Sequence, residues 1–246
     1  MQKIAVISDI HGNIPALDAV LEDIRQRGVT AIYCLGDLVG TGPQPAEAVD
    51  KIKELCPVVV MGNWDHLLTK PSQDEVLLWH QRRLGEQRLQ WLENLPFSYD
   101  FIMSGKKIRL FHASPFSVYT RIQPWDSLES RLTMFQNTDK TGEPNGSDLP
   151  DVVGYGDIHN AYSQNLRGRT LFNTGSVGNP LDIPQASYAI LEGHLDSPVP
   201  AAFSIQLVRV PYDIELAVRL AEQENIPLLE PYSRELRTGR YRGLKD

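Results

Sequence analysis

Apolar residues along the chain gather in short runs broken by polar turns, and several of these runs end on a carboxylate, an amide or an imidazole. Residues 3–8 (KIAVIS) form a buried-strand pattern that stops at Asp9. In the next segment Ile14, Leu17, Val20, Leu21 and Ile24 recur at helical spacing, and Gly28 supplies the stop. AIYCLGD predicts a second strand ending at Asp37, PAEAVDKIKEL a second helix, and PVVVMGN a third strand ending at Asn63. Alternation of buried strands with amphipathic helices predicts an α/β arrangement, a layered sheet flanked by helices.

The stretch from Gln73 to Asn94 predicts a longer helix, with Leu77, Leu84, Leu89 and Leu92 among its apolar positions. Beyond Pro96 the pattern turns to strands: FSYDFIM, KKIRLFHAS, and later DVVGYG, TLFNTGS, SYAILEG and FSIQLVRV. Between them, residues 116–151 are the least regular part. They hold one predicted helix near Ser127–Gln136 and a Gly/Pro/Asn/Asp-rich stretch from 137 onward that cannot build a core and reads as an irregular insertion or lid. A last helix, IELAVRLAEQEN, opens the segment 212–246, whose end is read as a solvated basic tail. No internal repeat or domain boundary stands out, so 1–246 is read as a single domain.

Composition narrows the class. With 246 residues and 41% hydrophobic content the chain can bury a sizeable core, and disorder is excluded. No run approaches the roughly 18 consecutive apolar residues of a membrane span. The N-terminal apolar stretch is too short for a secretory signal, and two cysteines make a poor disulfide framework, so a reduced, cytoplasmic setting is expected. A formal net charge of −7 argues against long nucleic acid as partner, because duplex binding normally needs a basic surface. It does not argue against a small phosphorylated substrate, since bound cations reverse the sign of one pocket.

The chemistry concentrates where open α/β sheets bind ligands, beyond the carboxyl ends of strands. Asp9 and His11 follow the first strand, Asp37 the second, and Asn63, Asp65 and His66 the third. His112 ends the strand IRLF, and Asp157 and His159 follow DVVGYG. Asp and Asn are common caps and turn residues, but five successive strand ends carrying donors exceed what capping explains. Carboxylate, amide and imidazole oxygens and nitrogens without a thiolate suit manganese, iron or zinc. Asp9, His11, Asp37, Asn63, His112, Asp157 and His159 are more groups than one ion uses, which points to a dinuclear centre.

In order and spacing, Asp9-Ile-His11, Gly36-Asp37, Gly62-Asn63, His112-Ala-Ser and Gly156-Asp157-Ile-His159 resemble the calcineurin-like metallophosphoesterases. NTGSVGNP (173–180) with SYAILE resembles their bacterial phosphodiesterase branch, and the likeness spans nearly all of residues 1–195. The resemblance implies a four-layered αββα sandwich with two packed mixed sheets. It implies that Asp9, His11 and His159 hold one divalent ion, that Asp37 bridges, and that Asn63, His112 and Asp157 hold the second. Manganese or iron is expected first, with zinc, nickel, cobalt or magnesium compatible. A hydroxide between the ions would attack phosphorus in a phosphodiester or a nucleotide-type phosphoanhydride, such as a dinucleoside polyphosphate. The alternatives are a scaffold of the same fold with a decayed metal site, and a nuclease.

Two positions depart from the family pattern. Trp64 stands where the family carries the histidine of Gly-Asn-His-Asp, and Asp157 replaces the first histidine of Gly-His-x-His. His66, three residues after Asn63, reaches the site as the catalytic acid if a helix begins there. The other reading is an ordinary helix-start residue, with water as the acid. Four further groups have plain structural readings: His80 on a solvated helix face, Arg121 on the surface, Asn13 as a helix cap, and Trp64, Tyr119, Trp125 and Tyr155 as packing. Stacking of those aromatics on a nucleobase is the alternative.

Overall fold

The computed structural model describes residues 1–142 and 148–243. Two five-stranded mixed sheets form its centre. The first has the order β10 (Ser204–Val210), β9 (Ala186–Gly193), β1 (Gln2–Ile7), β2 (Ala31–Cys34), β3 (Val58–Val59). The second runs β4 (Ser98–Met103), β5 (Lys106–Phe111), β6 (Val152–Tyr155), β8 (Arg169–Asn173), β7 (Tyr162–Leu166). β1, β2 and β3 are parallel, as are β5, β6 and β8, and the remaining pairings are antiparallel.

β1 shows why the strands read as continuous apolar runs. Alternate residues of a strand face opposite ways, and here both faces are covered. Ile4 and Val6 point between the sheets, where they meet Phe101, Leu110, Val152 and Phe172. Ala5 and Ile7 point outward to α1 (Ile14–Gln26) and α2 (Pro45–Leu55), whose Leu17, Val20, Val49 and Ile52 are buried. On the far side of the second sheet, Phe111, Val153 and Leu171 meet Met134 and Phe135 next to the short α5 (Leu128–Leu132). The result is the expected α/β sandwich, helices outside two packed sheets.

α4 (Glu75–Glu93) is interrupted at Gly85, whose φ of 68° glycine adopts at little cost. α3 (Asn63–Leu68) is a six-residue helix that begins directly at Asn63. α6 (Ile214–Gln223) is the expected last amphipathic helix. Beyond it the basic segment is not a frayed tail: Leu229–Thr238 form α7, which packs Tyr232 and Leu236 against Ala217, Val218 and Ala221 of α6. β7 was not signalled by the sequence because Tyr162-Ser-Gln-Asn-Leu166 is largely polar, as an edge strand facing solvent is allowed to be. Part of the stretch assigned to an insertion or lid, residues 143–147, lies outside the described residues; Ser127 caps a helix where one was expected, accepting from Ser130 N. No described helix is long and apolar enough to cross a membrane.

Candidate metal centre

The donors converge because the carboxyl ends of β1, β2, β5 and β6, two strands from each sheet, open onto one place. Asp9, His11, Asp37, Asp157 and His159 all adopt left-handed backbone conformations, with φ between 50° and 62°. Such φ values are uncommon outside glycine and cluster at functional sites, where the surroundings hold them. The holding is visible. Asp65 Oδ2 accepts from the Asp37 and Gly62 amides and its Oδ1 from the Leu38 amide, at 2.8–3.0 Å, pinning the turn after β2. Ser176 Oγ and the Gly178 amide donate to the Asp9 carbonyl at 2.8 Å, pinning the turn after β1. At Gly62 a Cβ would lie 2.1 Å from Asp37 Oδ1, so only glycine lets the third loop approach that carboxylate.

Each buried imidazole is oriented by a main-chain carbonyl. His11 Nδ1 lies 2.9 Å from Val39 O, His112 Nδ1 2.8 Å from Leu35 O, and His159 Nδ1 2.5 Å from Asn179 O. A carbonyl only accepts, so Nδ1 carries a proton and each Nε2 is the atom that points inward, the usual orientation of a metal-ligating histidine. His11 Nε2 and His159 Nε2 face each other at 3.2 Å, and His159 Nε2 lies 3.2 Å from Asp9 Oδ1. Asp37 spans the gap: Oδ2 is 3.7 Å from His11 Nε2 and Oδ1 is 3.5 Å from His112 Nε2. Two sets of donor atoms close enough for a shared ion result, Asp9–His11–His159 and Asp9–Asp37–His112. The inward end of the Asn63 amide faces only acceptors, so its nitrogen donates to Asp37 Oδ2, His112 Nε2 and Asp157 Oδ1, all within 3.3 Å, and its oxygen would turn inward to hold an ion.

Charge balance tells the same story. Burial, then the charges of Asp9 and Asp65, push Asp37 well above its ordinary pKa. Burial opposes ionisation of Asp9 as well, but the charge and hydrogen bond of His159 hold it below the usual carboxylate range. Burial and repulsion from His159 push His11 down to about 3. The protein alone therefore leaves a buried carboxylate that resists ionising beside a neutral imidazole, and cations would resolve both. A set of inward Nε2 atoms and carboxylates fits hard or borderline divalent ions.

Other positions differ from their sequence reading. Arg121 is no ordinary surface arginine: it forks Asp157 through Nε to Oδ2 at 2.9 Å and Nη2 to Oδ1 at 2.8 Å, and it lines the cavity above the cluster. His80 is not on a solvated face but buried against Trp64 and Trp79, and burial pushes it down to about 4. Nothing in the helical spacing of α4 could have revealed that Trp64 arrives from α3 to cover it. Trp64 itself packs edge-on to His11 and lines the cavity, as does Trp125, whereas Tyr155 is packing, its hydroxyl bound to Ile122 O. Asn13 caps α1 by accepting from Ala16 N. His66 Nδ1 meets the Tyr119 hydroxyl at 2.7 Å; His66 is not among the residues that line the cavity. Asp65 and Asn179 escaped notice as positioning groups because their work is done through main-chain atoms of distant loops.

Comparison with known proteins adds ancestry to geometry. Residues 2–195 match the calcineurin-like phosphoesterase superfamily domain. An uncharacterised protein of Methanocaldococcus jannaschii is 34% identical over 254 residues, spanning 91% of this chain and 93% of its own. The phosphodiesterase YfcE of Escherichia coli is 33% identical over 106 residues, which cover 36% of this chain and 55% of its own. Among solved structures, a metallophosphoesterase of Sphaerobacter thermophilus superposes with a TM-score of 0.74 at 26% identity, covering 97% of this chain and 99% of its own.

Proposed function

The chain belongs to the calcineurin-like phosphoesterase superfamily, a hydrolase of phosphoester bonds, and from that premise we propose that it cleaves phosphodiester or nucleotide-type phosphoanhydride bonds at a dinuclear centre. The observation that carries this reading is the convergence of three carbonyl-oriented imidazoles with the Asp9 and Asp37 carboxylates, of which His11, Asp37 and His159 line one cavity. Asp9, His11 and His159 would hold one divalent ion, Asn63, His112 and Asp157 the other, and Asp37, facing both sides, would lie between. Manganese or iron suits this donor set best. Two such ions supply Lewis acidity toward a phosphoryl oxygen and a water of lowered pKa.

The protein's own groups divide the remaining work. Arg121, poised on Asp157 at the cavity wall, presents a planar cation that matches phosphoryl oxygens. Trp64, where the family carries a histidine, shields His11 from solvent and offers no proton. His66 is the proposed proton donor to the leaving group, with Tyr119 as its link to the site. Burial and then the Asp37 charge push the Tyr119 phenol up, and its hydroxyl lies 2.7 Å from His66 Nδ1. Small nucleotides, dinucleoside polyphosphates included, are the proposed substrates, and two buried free thiols suit a reduced cytoplasm.

The test is hydrolysis of bis-p-nitrophenyl phosphate by metal-stripped protein reloaded with Mn, Fe, Zn, Ni, Co or Mg, together with metal analysis. Turnover with close to two ions per chain is expected. Protein that retains no metal and is silent with every ion would make the chain a scaffold of this fold.

A further inference from the structure

Among the described residues that line the cavity, the permanent cations are Arg121 and Arg242. Arg242 is committed to Glu235, which it forks at 2.8 and 2.6 Å. Arg121 is committed to Asp157, one of the groups assigned to the second ion. Its Nη2 donates to Oδ1 at 2.8 Å and its Nε to Oδ2 at 2.9 Å, so both carboxylate oxygens are engaged. Oδ1 is also the oxygen 3.9 Å from His112 Nε2, on the side of the cluster.

The two halves of the centre therefore stand in unequal readiness. Asp9, His11 and His159 already bring their donor atoms within reach of one ion, and no lysine or arginine pairs with them among the described residues. On the other side, Asn63 turns its amide nitrogen inward, donating to Asp37 Oδ2, His112 Nε2 and Asp157 Oδ1. Asp157 spends its charge on a guanidinium. Two of the three groups assigned to the second ion are thus committed within the protein.

A guanidinium and a divalent cation seek the charge of the same carboxylate, and at such short range they repel each other. The Asp157 side chain is only 3% exposed, and an unpaired charge there would be costly, so a cation has to attend it. Arg121 is the partner able to leave. Its side chain is 49% exposed, and the Asp157 fork is the whole of its hydrogen bonding among the described residues. It lies between β5 and α5, in a stretch without helix or strand.

We propose that Arg121 stands in for the second ion: it neutralises Asp157 in metal-free protein and gives way when that position is filled, so the centre loads in order, Asp9–His11–His159 first. This rests on the two-ion reading and adds the order of loading. Once off Asp157, the guanidinium has phosphoryl oxygens in the cavity as its next partners. The opposite role, a cation that stays on Asp157 and orients it as a ligand, would strengthen ion binding. The two roles differ in sign.

Calorimetric titration of manganese into metal-stripped protein separates them. The wild type is expected to bind in two steps, the second at least about tenfold weaker. Arg121→Gln should leave the first step unchanged and tighten the second by about tenfold or more, the scale of a charge-assisted pair. Arg121→Lys, which keeps a cation but breaks the fork, should fall between. In an Asp157→Asn background, where the contested charge is gone, Arg121→Gln should shift neither step. A second step unchanged or weakened by Arg121→Gln, both steps tightened alike, or the same shift in the Asp157→Asn background would overturn the proposal. One ion per chain in wild type and variant alike would remove the two-ion reading and the proposal with it, whereas two equal steps in both would remove the proposal alone.

Discussion

At the scale of single residues, the centre is a collection of groups held in conformations they would not choose. Asp37 is buried, left-handed and adjacent to Asp9 and Asp65, so its charge is unwelcome until a cation arrives. Asp37→Asn should therefore lower kcat/KM by a factor on the order of 10²–10³, as loss of a main electrostatic group does. In the presence of a chelator its melting temperature should equal or exceed that of the wild type, because the substitution removes repulsion; calorimetry separates this from simple misfolding. For His66→Gln the expectation is a loss of roughly 10²-fold on esters with alkyl leaving groups, as removal of a general acid gives, and little change with p-nitrophenolate. No loss on either would mean that water is the acid, and equal losses on both would make His66 a positioning residue and not the acid. Asp182 offers a stability readout away from the ligands. It pairs with both Nη atoms of Arg209 on β10 and accepts from Ala161 N, fastening the loop after His159. Burial opposes its ionisation, yet Arg209 prevails and holds the folded-state carboxyl below its ordinary value. The stabilisation is then complete above the unfolded pKa of about 3.9 and fades as pH falls through the lower folded value. Asp182→Asn should cost about 1–3 kcal/mol at pH 7, and the gap from wild type should shrink below pH ~4 in denaturant titrations.

At the scale of elements, α7 is the piece whose role depends most on its neighbours. LEPYSRELRT has only Tyr232 and Leu236 as large buried apolar contacts with α6, and its Glu235 is buried because Arg242 folds back on it. Leu236→Ala should weaken docking by about 2–5 kcal/mol, the cost of deleting a buried leucine side chain. Amide exchange should then speed up across 229–238 while β1 keeps its protection. Uniform acceleration throughout the chain would show instead that α7 folds as one unit with the sandwich. α3 illustrates the opposite case. It is only six residues long, yet it delivers Asn63 to the centre and Trp64 to the cavity because Asp65 anchors its first turn to the amides of Asp37 and Leu38.

For the whole molecule, the decisive feature is the seam between the two sheets. Neither sheet alone holds a complete donor set: Asp9, His11 and Asp37 come from one, His112 and His159 from the other. Ion binding at the proposed centre would thus tie the sheets together and relieve buried carboxylate repulsion at the same time. At a free metal concentration 100 times the dissociation constant, linkage adds about 2.7 kcal/mol, or a rise in melting temperature of roughly 5–10 °C for a chain this size. Thermal scans with chelator and with added manganese check it, and coincident curves would contradict binding at the seam.

Much of the fold was legible along the chain because its strands are buried on both faces and its helices on one, and both conditions leave a period in the sequence. The donors were legible too, since each sits directly after an apolar strand. What the sequence by itself determined, then, is that strand ends would carry carboxylates, an amide and imidazoles. Periodicity reports that a residue is covered, never by what. Hence it could not show that Asp65 and Asn179 steer the ligands through backbone atoms, that Arg121 crosses to Asp157, or that Trp64 buries His80. Nor could a polar, arginine-rich segment announce that it would close one wall of a cavity whose opposite wall comes from the loops after the first strands. Those decisions belong to tertiary structure, because contacts between loops distant in sequence depend on where two sheets place their ends.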